Sequence, residues 1–247
     1  MNSEFGILKS AIRNPSIMGR TLEPSGAVGD ALRALLATRG RVVLPRAVAP
    51  RERRYNQIRA VGCRLLFDHG YAGMTMRQIA ACLQMKAASL YHHFPSKQHI
   101  LFNLMQTTAS ELLEGLRRIA ESGDPAQQQL DAAIRWHVLF HTQKREEAFV
   151  SHSELRSLEP ENLQAILKLR HEYDRLFDSI LKRGQRKGVF AIEDVSVVRN
   201  SILTMCTATA TWFSPEGRLT AEQVADQIRN FVRAALLKRN GTRRPKA

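Results

Sequence analysis

Ala87, Ala88, Ser89 and His92 form a small surface whose chemistry is hydrogen bonding and methyl contact, not bond making. A hydroxyl and an imidazole can meet the edges of base pairs, and alanine methyls allow close approach and can touch thymine methyls. Lys86 and His93 flank this surface, and Tyr91 stands at its side within reach of a phosphate. Lys97 and the helix start beside it both favour anions. Thr75 and Arg77, at the head of the preceding segment, complete a set of ten candidate contacts to DNA.

Such contacts are useful only if short helices hold them at an angle. Thr75 is a suitable cap for a first helix, in which Met76, Ile79, Ala80 and Leu83 repeat with the spacing of one buried stripe. Gln84 to Lys86 is read as the turn, and a second helix is predicted from Ala87 to Phe94, with Leu90 and Phe94 buried one turn apart. Pro95-Ser96 stops it and lets Ser96-Lys97 open the next helix. Two short helices around a tight turn are the pattern of a helix-turn-helix DNA reader.

The stretch from about Ile58 to Phe102 resembles the DNA-binding domain of the tetracycline-repressor (TetR) family of bacterial regulators. The likeness rests on Gly70, Tyr71, Met74 and Thr75 at the end of an opening helix, on Ile79-Ala80, and on Ser89-Leu90-Tyr91-His92-His93-Phe94-Pro95-Ser96-Lys97. One departure is Gln84-Met85, where the family usually carries Gly and Val; glycine is the residue that most easily turns left-handed. The resemblance implies an all-α chain, with an N-terminal three-helix reader and a C-terminal helical domain for ligand binding and dimerisation.

Charge is unevenly spread along the 247 residues, which carry +14 in total. Residues 1–50 hold +4, 51–99 hold +6, 100–239 hold only +1, and 240–247 hold +3. Excess cation on the reader fits phosphate contact, to which Arg51, Arg53 and Arg54 also lend themselves, because each contact releases counterions. The domain reading is a basic disordered extension over 1–50, the reader over 51–99, the helical effector and dimer domain over 100–239, and a basic flexible tail over 240–247. Ala27–Thr38 is compatible with a short helix, and Met18 offers an alternative start. The arm could reach a minor groove or serve no defined role. No apolar run approaches the ~20 residues of a membrane span, and three scattered cysteines suit a reducing compartment, so a cytoplasmic, membrane-free protein is expected.

Beyond Lys97 the periodicity is helical throughout. Predicted helices run Ser96–Ser122, onward to Thr142, Glu146–Leu158, Glu161–Lys187, Asp194–Phe213 and Thr220–Lys238, punctuated by Gly123-Asp124-Pro125, Glu159-Pro160 and Gly188. The last two resemble the helix pair with which family members dimerise. Val198, Ile202, Met205 and Thr209 in one, and Val224, Ile228, Phe231, Val232 and Ala235 in the other, are the candidate interface. Packing inside one chain would produce the same stripes.

The segment Ser153 to Phe190 resembles a subgroup of the family that responds to acyl-coenzyme A (acyl-CoA) thioesters in lipid and sterol breakdown. That resemblance implies an effector with a buried acyl group and phosphates near basic side chains. Candidate ligand contacts are Trp136, His137, Phe140, His141, Phe149, His152, Arg156, Arg170, Tyr173 and Met205. Arg170 interrupts an apolar stripe and needs a partner: a carboxylate such as Glu154, a route to solvent, or the ligand. His137 and His141, with His152 as a third, have metal-compatible spacing, but no carboxylate or cysteine cluster accompanies them, and neither a metal nor another cofactor is expected. A regulator of the same fold that senses a hydrophobic drug-like ligand, or a metal through those histidines, is the alternative.

An enzyme acting on thioesters is the different class to weigh. The chain has no nucleophile elbow, HExxH, Walker loop or dinucleotide fingerprint. The expected partners are therefore double-stranded operator DNA, a small effector and a second copy of the chain, and the expected action is repression lifted by the effector.

Overall fold

The structure, a computed structural model, describes residues 50–237; the predicted Ala27–Thr38 helix, the extension and the basic tail lie outside them. The described chain is helical, in the order α1 (Pro50–Gly73), α2 (Met76–Cys82), α3 (Ala87–Tyr91), α4 (Lys97–Glu121), α5 (Ala126–Gln143), α6 (Arg145–Ser153), α7 (Pro160–Arg186), α8 (Val195–Thr207), α9 (Thr209–Trp212) and α10 (Ala221–Leu236). A 3₁₀ turn, Leu155–Ser157, joins α6 to α7. No helix among the described residues is long and apolar enough to cross a membrane.

Local signals set most boundaries. Thr75 and Gln78 form a reciprocal cap at α2, in which Gln78 N–H donates to Thr75 Oγ1 at 3.2 Å and Thr75 N–H to Gln78 Oε1 at 2.7 Å. Thr220 and Gln223 repeat the device at α10, and Asp194 caps α8 through the N–H groups of Ser196 and Val197. Two predicted helices break in two. Glu146–Leu158 divides at Glu154, whose carboxylate accepts from Ser157 Oγ at 2.7 Å. Asp194–Phe213 divides at Ala208, where Thr209 Oγ1 donates back to the Cys206 carbonyl and Arg145 Nε takes the Ala210 carbonyl at 2.9 Å. α3 ends at Tyr91 rather than Phe94, although Leu90 and Phe94 are both buried as the spacing predicts.

The turn between α2 and α3 is a Schellman closure: Met85 N–H donates to Ala80 O and Gln84 N–H to Ala81 O. Gln84 occupies its left-handed position with φ 50°. A side chain there costs roughly 1–2 kcal/mol, partly offset because glycine is more flexible in the unfolded chain. Gln84→Gly is accordingly expected to stabilise the protein by about 0.5–1 kcal/mol in urea unfolding. An unchanged or lower midpoint would refute the strain argument.

Two apolar cores result. The first joins Ile58, Leu66, Met74, Ile79, Leu90 and Phe94 of the reader to Ile100, Leu101, Leu104 and Met105 of α4, and also to Val150, Leu155, Leu158 and Ile166. The second gathers Leu113, Leu116, Leu130, Ile134, Tyr173, Phe177, Ile202, Val224, Val232 and their neighbours. The first core therefore crosses the 99/100 boundary drawn from sequence. α4 and α7 each begin in the first core and continue into the second.

Candidate functional site

The surface of α3 is open to solvent. Lys86, Ala87, Ala88, Ser89, Tyr91 and His92 are exposed, as are Thr75 and Arg77 at the head of α2, while His93 is half-buried. Leu90 and Phe94 fix α3 from beneath, and Phe94 stacks on Tyr55 of α1 with ring centroids 4.5 Å apart. Lys97 is placed differently from a free phosphate contact. Its ammonium donates to the Tyr71 carbonyl at 3.1 Å and lies 4.2 Å from the centre of the Tyr71 ring, which ties the first turn of α4 to the end of α1. Arg51, Arg53 and Arg54 are exposed on the first turns of α1.

A cavity of about 530 Å³ opens where the two cores part, walled by α4, α5, α6, α7, α8 and α9. This volume is within the usual range for small-molecule sites. Of the candidate ligand contacts, His137, Phe140, His141, Phe149, His152, Arg170 and Tyr173 line it. Trp136, Arg156 and Met205 do not. Trp136 instead covers Gly115 and donates from Nε1 to the Leu112 carbonyl at 3.0 Å, Arg156 is exposed on the 3₁₀ turn, and Met205 packs on the second core. The sequence reading missed Leu112, Leu169, Leu203 and the α8 hydroxyls of Thr204 and Thr207. Those hydroxyls gave no periodic signal, and the bend at Ala208 that wraps them over the cavity depends on distant residues.

The polar wall is built from histidines held neutral. His137 sits between Tyr173 Oη (2.8 Å from Nδ1) and Thr207 Oγ1 (3.0 Å from Nε2), so each ring nitrogen has a partner. Burial, with help from the neighbouring His141 and His152, holds its pKa well below the usual 6.5. His141 stacks on His137 at 4.2 Å and donates from Nδ1 to the His137 carbonyl at 2.9 Å. Burial lowers its pKa to about 4. His152 approaches His141 at 5.9 Å, and burial followed by the charge of Arg170 pushes its pKa down as well. Among the described residues no group of histidine, cysteine and carboxylate side chains could hold a metal ion.

Arg170 does not pair with Glu154. Its Nη2 donates to the Ser151 carbonyl at 2.7 Å, while Glu154 accepts from Ser157. Burial lowers the Arg170 pKa, and Asp174 works against that shift. Asp174 itself lies nearest Arg199, at 3.9 Å, and Arg199 pairs with Asp178 at 2.8 Å.

The candidate interface divides between core and surface. Ile202, Thr209, Val224, Ile228 and Val232 are buried inside the chain, which corrects their assignment to a surface between copies: their stripe packs against α5 and α7. Val198 and Met205 are partly buried on the same core. Phe231 (65% exposed) and Ala235 face outward, joined by Val197 (61%) and Trp212 (57%), which the stripe rule passed over because they lie off the most regular apolar line.

Comparison with known proteins agrees with this architecture. Residues 58–104 match the family model described as bacterial regulatory proteins, tetR family, and residues 123–236 match the tetracyclin repressor-like C-terminal domain. The HTH-type transcriptional repressor KstR2 of Rhodococcus jostii (strain RHA1) is 23% identical over 72% of this chain and 89% of its own length. The crystal structure of AibR in complex with isovaleryl coenzyme A and operator DNA is 29% identical, with TM-score 0.67 over 72% of this chain and 97% of that one. The TetR family regulator PfmR from Thermus thermophilus is 27% identical, with TM-score 0.68 over 73% of this chain and 99% of that one. With a helix-turn-helix whose polar face is open and a helical second domain built around a cavity, the chain belongs to the TetR family of bacterial transcription regulators and is not an enzyme.

Proposed function

We propose that the protein represses transcription by binding a palindromic operator as a homodimer, and that an acyl-coenzyme A thioester entering the cavity releases it. One observation carries this reading. Met105 and Ile166 belong to the reader's core and also line the cavity, so an occupant presses on the same core that holds Ile79 of α2 and Leu90 of α3. Filling the cavity would favour a different tilt of α4 and shift the population away from the operator-competent form. Support for the effector class comes from AibR, whose structure holds isovaleryl coenzyme A. KstR2, described as a ketosteroid regulator in its Mycobacterium tuberculosis form, is a more distant parallel.

A second reading, a hydrophobic drug-like effector, is favoured by the cavity's charge. Among the described residues Arg170 is the one arginine or lysine lining it, so the phosphates of a coenzyme would have to remain outside. Gel shifts on the DNA flanking the gene, with and without a panel of acyl-CoA thioesters and apolar drugs, separate the two. Release by a thioester supports the first reading, and release by drugs alone supports the second. Specific binding that no panel member disturbs would end the first reading.

The same assay tests the reader. Ser89→Ala and His92→Ala are expected to change the preference among operator variants, by about 1–3 kcal/mol at the base pair each meets. Tyr91→Phe is expected to weaken all sequences alike. Equal loss on every sequence for all three variants would refute the division between base and phosphate contacts.

A further inference from the structure

Arg170 is the one cation lining the cavity among the described residues, and Asp174 lines the same cavity. Arg170 lies on α7 between Ile166 and Tyr173, and the wall near it mixes Ile166 and Leu169 with the polar Ser151 and His152. Ser151's carbonyl takes one N–H of the guanidinium fork, and no other hydrogen bond or ion pair reaches it from the described residues. Asp174, one helical turn away, is not within 4.0 Å of it and leans to Arg199 instead. Asp174 acts on the buried guanidinium from a distance, but the guanidinium's one hydrogen-bond acceptor is neutral, and a cation so removed from water is stabilised when an anion in contact completes the pair. The neighbouring polar groups do not compete for that anion. His137 is satisfied on both nitrogens by Tyr173 and Thr207, whereas His152 has ring contact with His141 and no hydrogen bond among the described residues, so it can offer an N–H.

We propose that Arg170 receives a carboxylate inside the cavity, with His152 as a second donor, so that the effector is an acyl compound carrying a free carboxylate at its buried end. The planar guanidinium fork matches a carboxylate geometrically, its Ser151 bond uses Nη2 alone, and Arg170 lines the cavity that such a group would enter. The inference rests on the cavity being the effector site, and it narrows that reading: a thioester would need a second acidic function on its acyl group, or a free acid would serve without the coenzyme.

Calorimetric titration of the full chain with decanoate and with methyl decanoate tests it, since the two differ in the charge of one group. Decanoate is expected to bind at least about tenfold more tightly, as a charge-assisted hydrogen bond implies. In Arg170→Met that preference should fall to near unity. Removing an uncompensated buried charge should also raise the variant's Tm, which reports that it folds. Arg170→Gln keeps a donor for the Ser151 carbonyl and replaces the Met variant if that one fails to fold. Equal binding of acid and ester by the native protein, or an undiminished preference in the variant, overturns the proposal.

Gel shifts with decanoate, decanoyl-CoA and the mono-CoA thioester of decanedioic acid then separate the sources. Release by the dicarboxylic thioester but not by decanoyl-CoA assigns the carboxylate to the far end of a thioester, and release by decanoate assigns it to a free acid. Release by decanoyl-CoA as effective as by both acids overturns the carboxylate while leaving the thioester effector standing. If nothing in either panel binds, the cavity is not the effector site and both readings fall.

Discussion

Phe231→Glu is expected to yield a folded monomer that binds its operator at least about a hundredfold more weakly, because pairing two linked readers typically multiplies affinity by about 10²–10⁴. Phe231 is 65% exposed on α10, and Val197 and Trp212, which are 61% and 57% exposed, lie on α8 and α9. Large apolar groups so open to water on the last three helices mark a surface that a partner would cover. In a two-fold dimer the substitution places the new charge in the interface twice, where it must be desolvated without a counterion. The fold itself should tolerate the change, since exposed positions usually move stability by no more than about 0.5 kcal/mol. Sedimentation would report the monomer, circular dichroism the intact helices, and a gel shift the loss of affinity. A dimeric variant, or a monomer with native affinity, would show that this face does not pair the readers.

That face also shows what the sequence could and could not convey. The Thr75 cap, Leu90 with Phe94, and the breaks at Gly123 and Gly188 act over a few residues, so the reader and most helix ends were legible from spacing and caps. Ile202 and Phe231 carry equally apolar side chains in two of the last helices, yet one is buried in the chain's own core and the other is open. Periodicity identifies a stripe but not its occupant, and the more regular stripe proved to be core. The division at Ala208 was equally hidden, since the carbonyl of Ala210 is claimed by Arg145, sixty-five positions away. For the cavity, the histidines and Arg170 were visible as polar interruptions of apolar stripes. Leu112 and Leu203, which complete the wall, looked like any other core leucine.

The second large effect concerns how an occupied cavity is felt at α3, and α6 is where it should be sought. Phe149 lines the cavity and meets Phe67 of α1 edge to face, with centroids 5.0 Å apart. On the same helix Glu146 pairs with Arg64 of α1 at 2.5 Å, and Arg64 is further held by Asp68. A ligand that displaces the Phe149 ring therefore moves against the reader's first helix directly, in parallel with the route through α4. Coupling between sites in such proteins is typically ~1–3 kcal/mol, a factor of about 5–150 in affinity. Phe67→Ala, which leaves the cavity wall intact, should retain effector binding and operator binding separately while reducing that factor towards unity. Linkage demands that the loss be reciprocal: operator DNA should weaken effector binding less by the same factor that effector weakens operator binding less. The double cycle with Phe149→Ala isolates the ring pair from any direct loss of ligand contact. Full coupling retained in Phe67→Ala would exclude the ring pair and leave α4 and the Arg64–Glu146 pair as the routes, because no other ring of α1 meets a cavity-lining ring among the described residues.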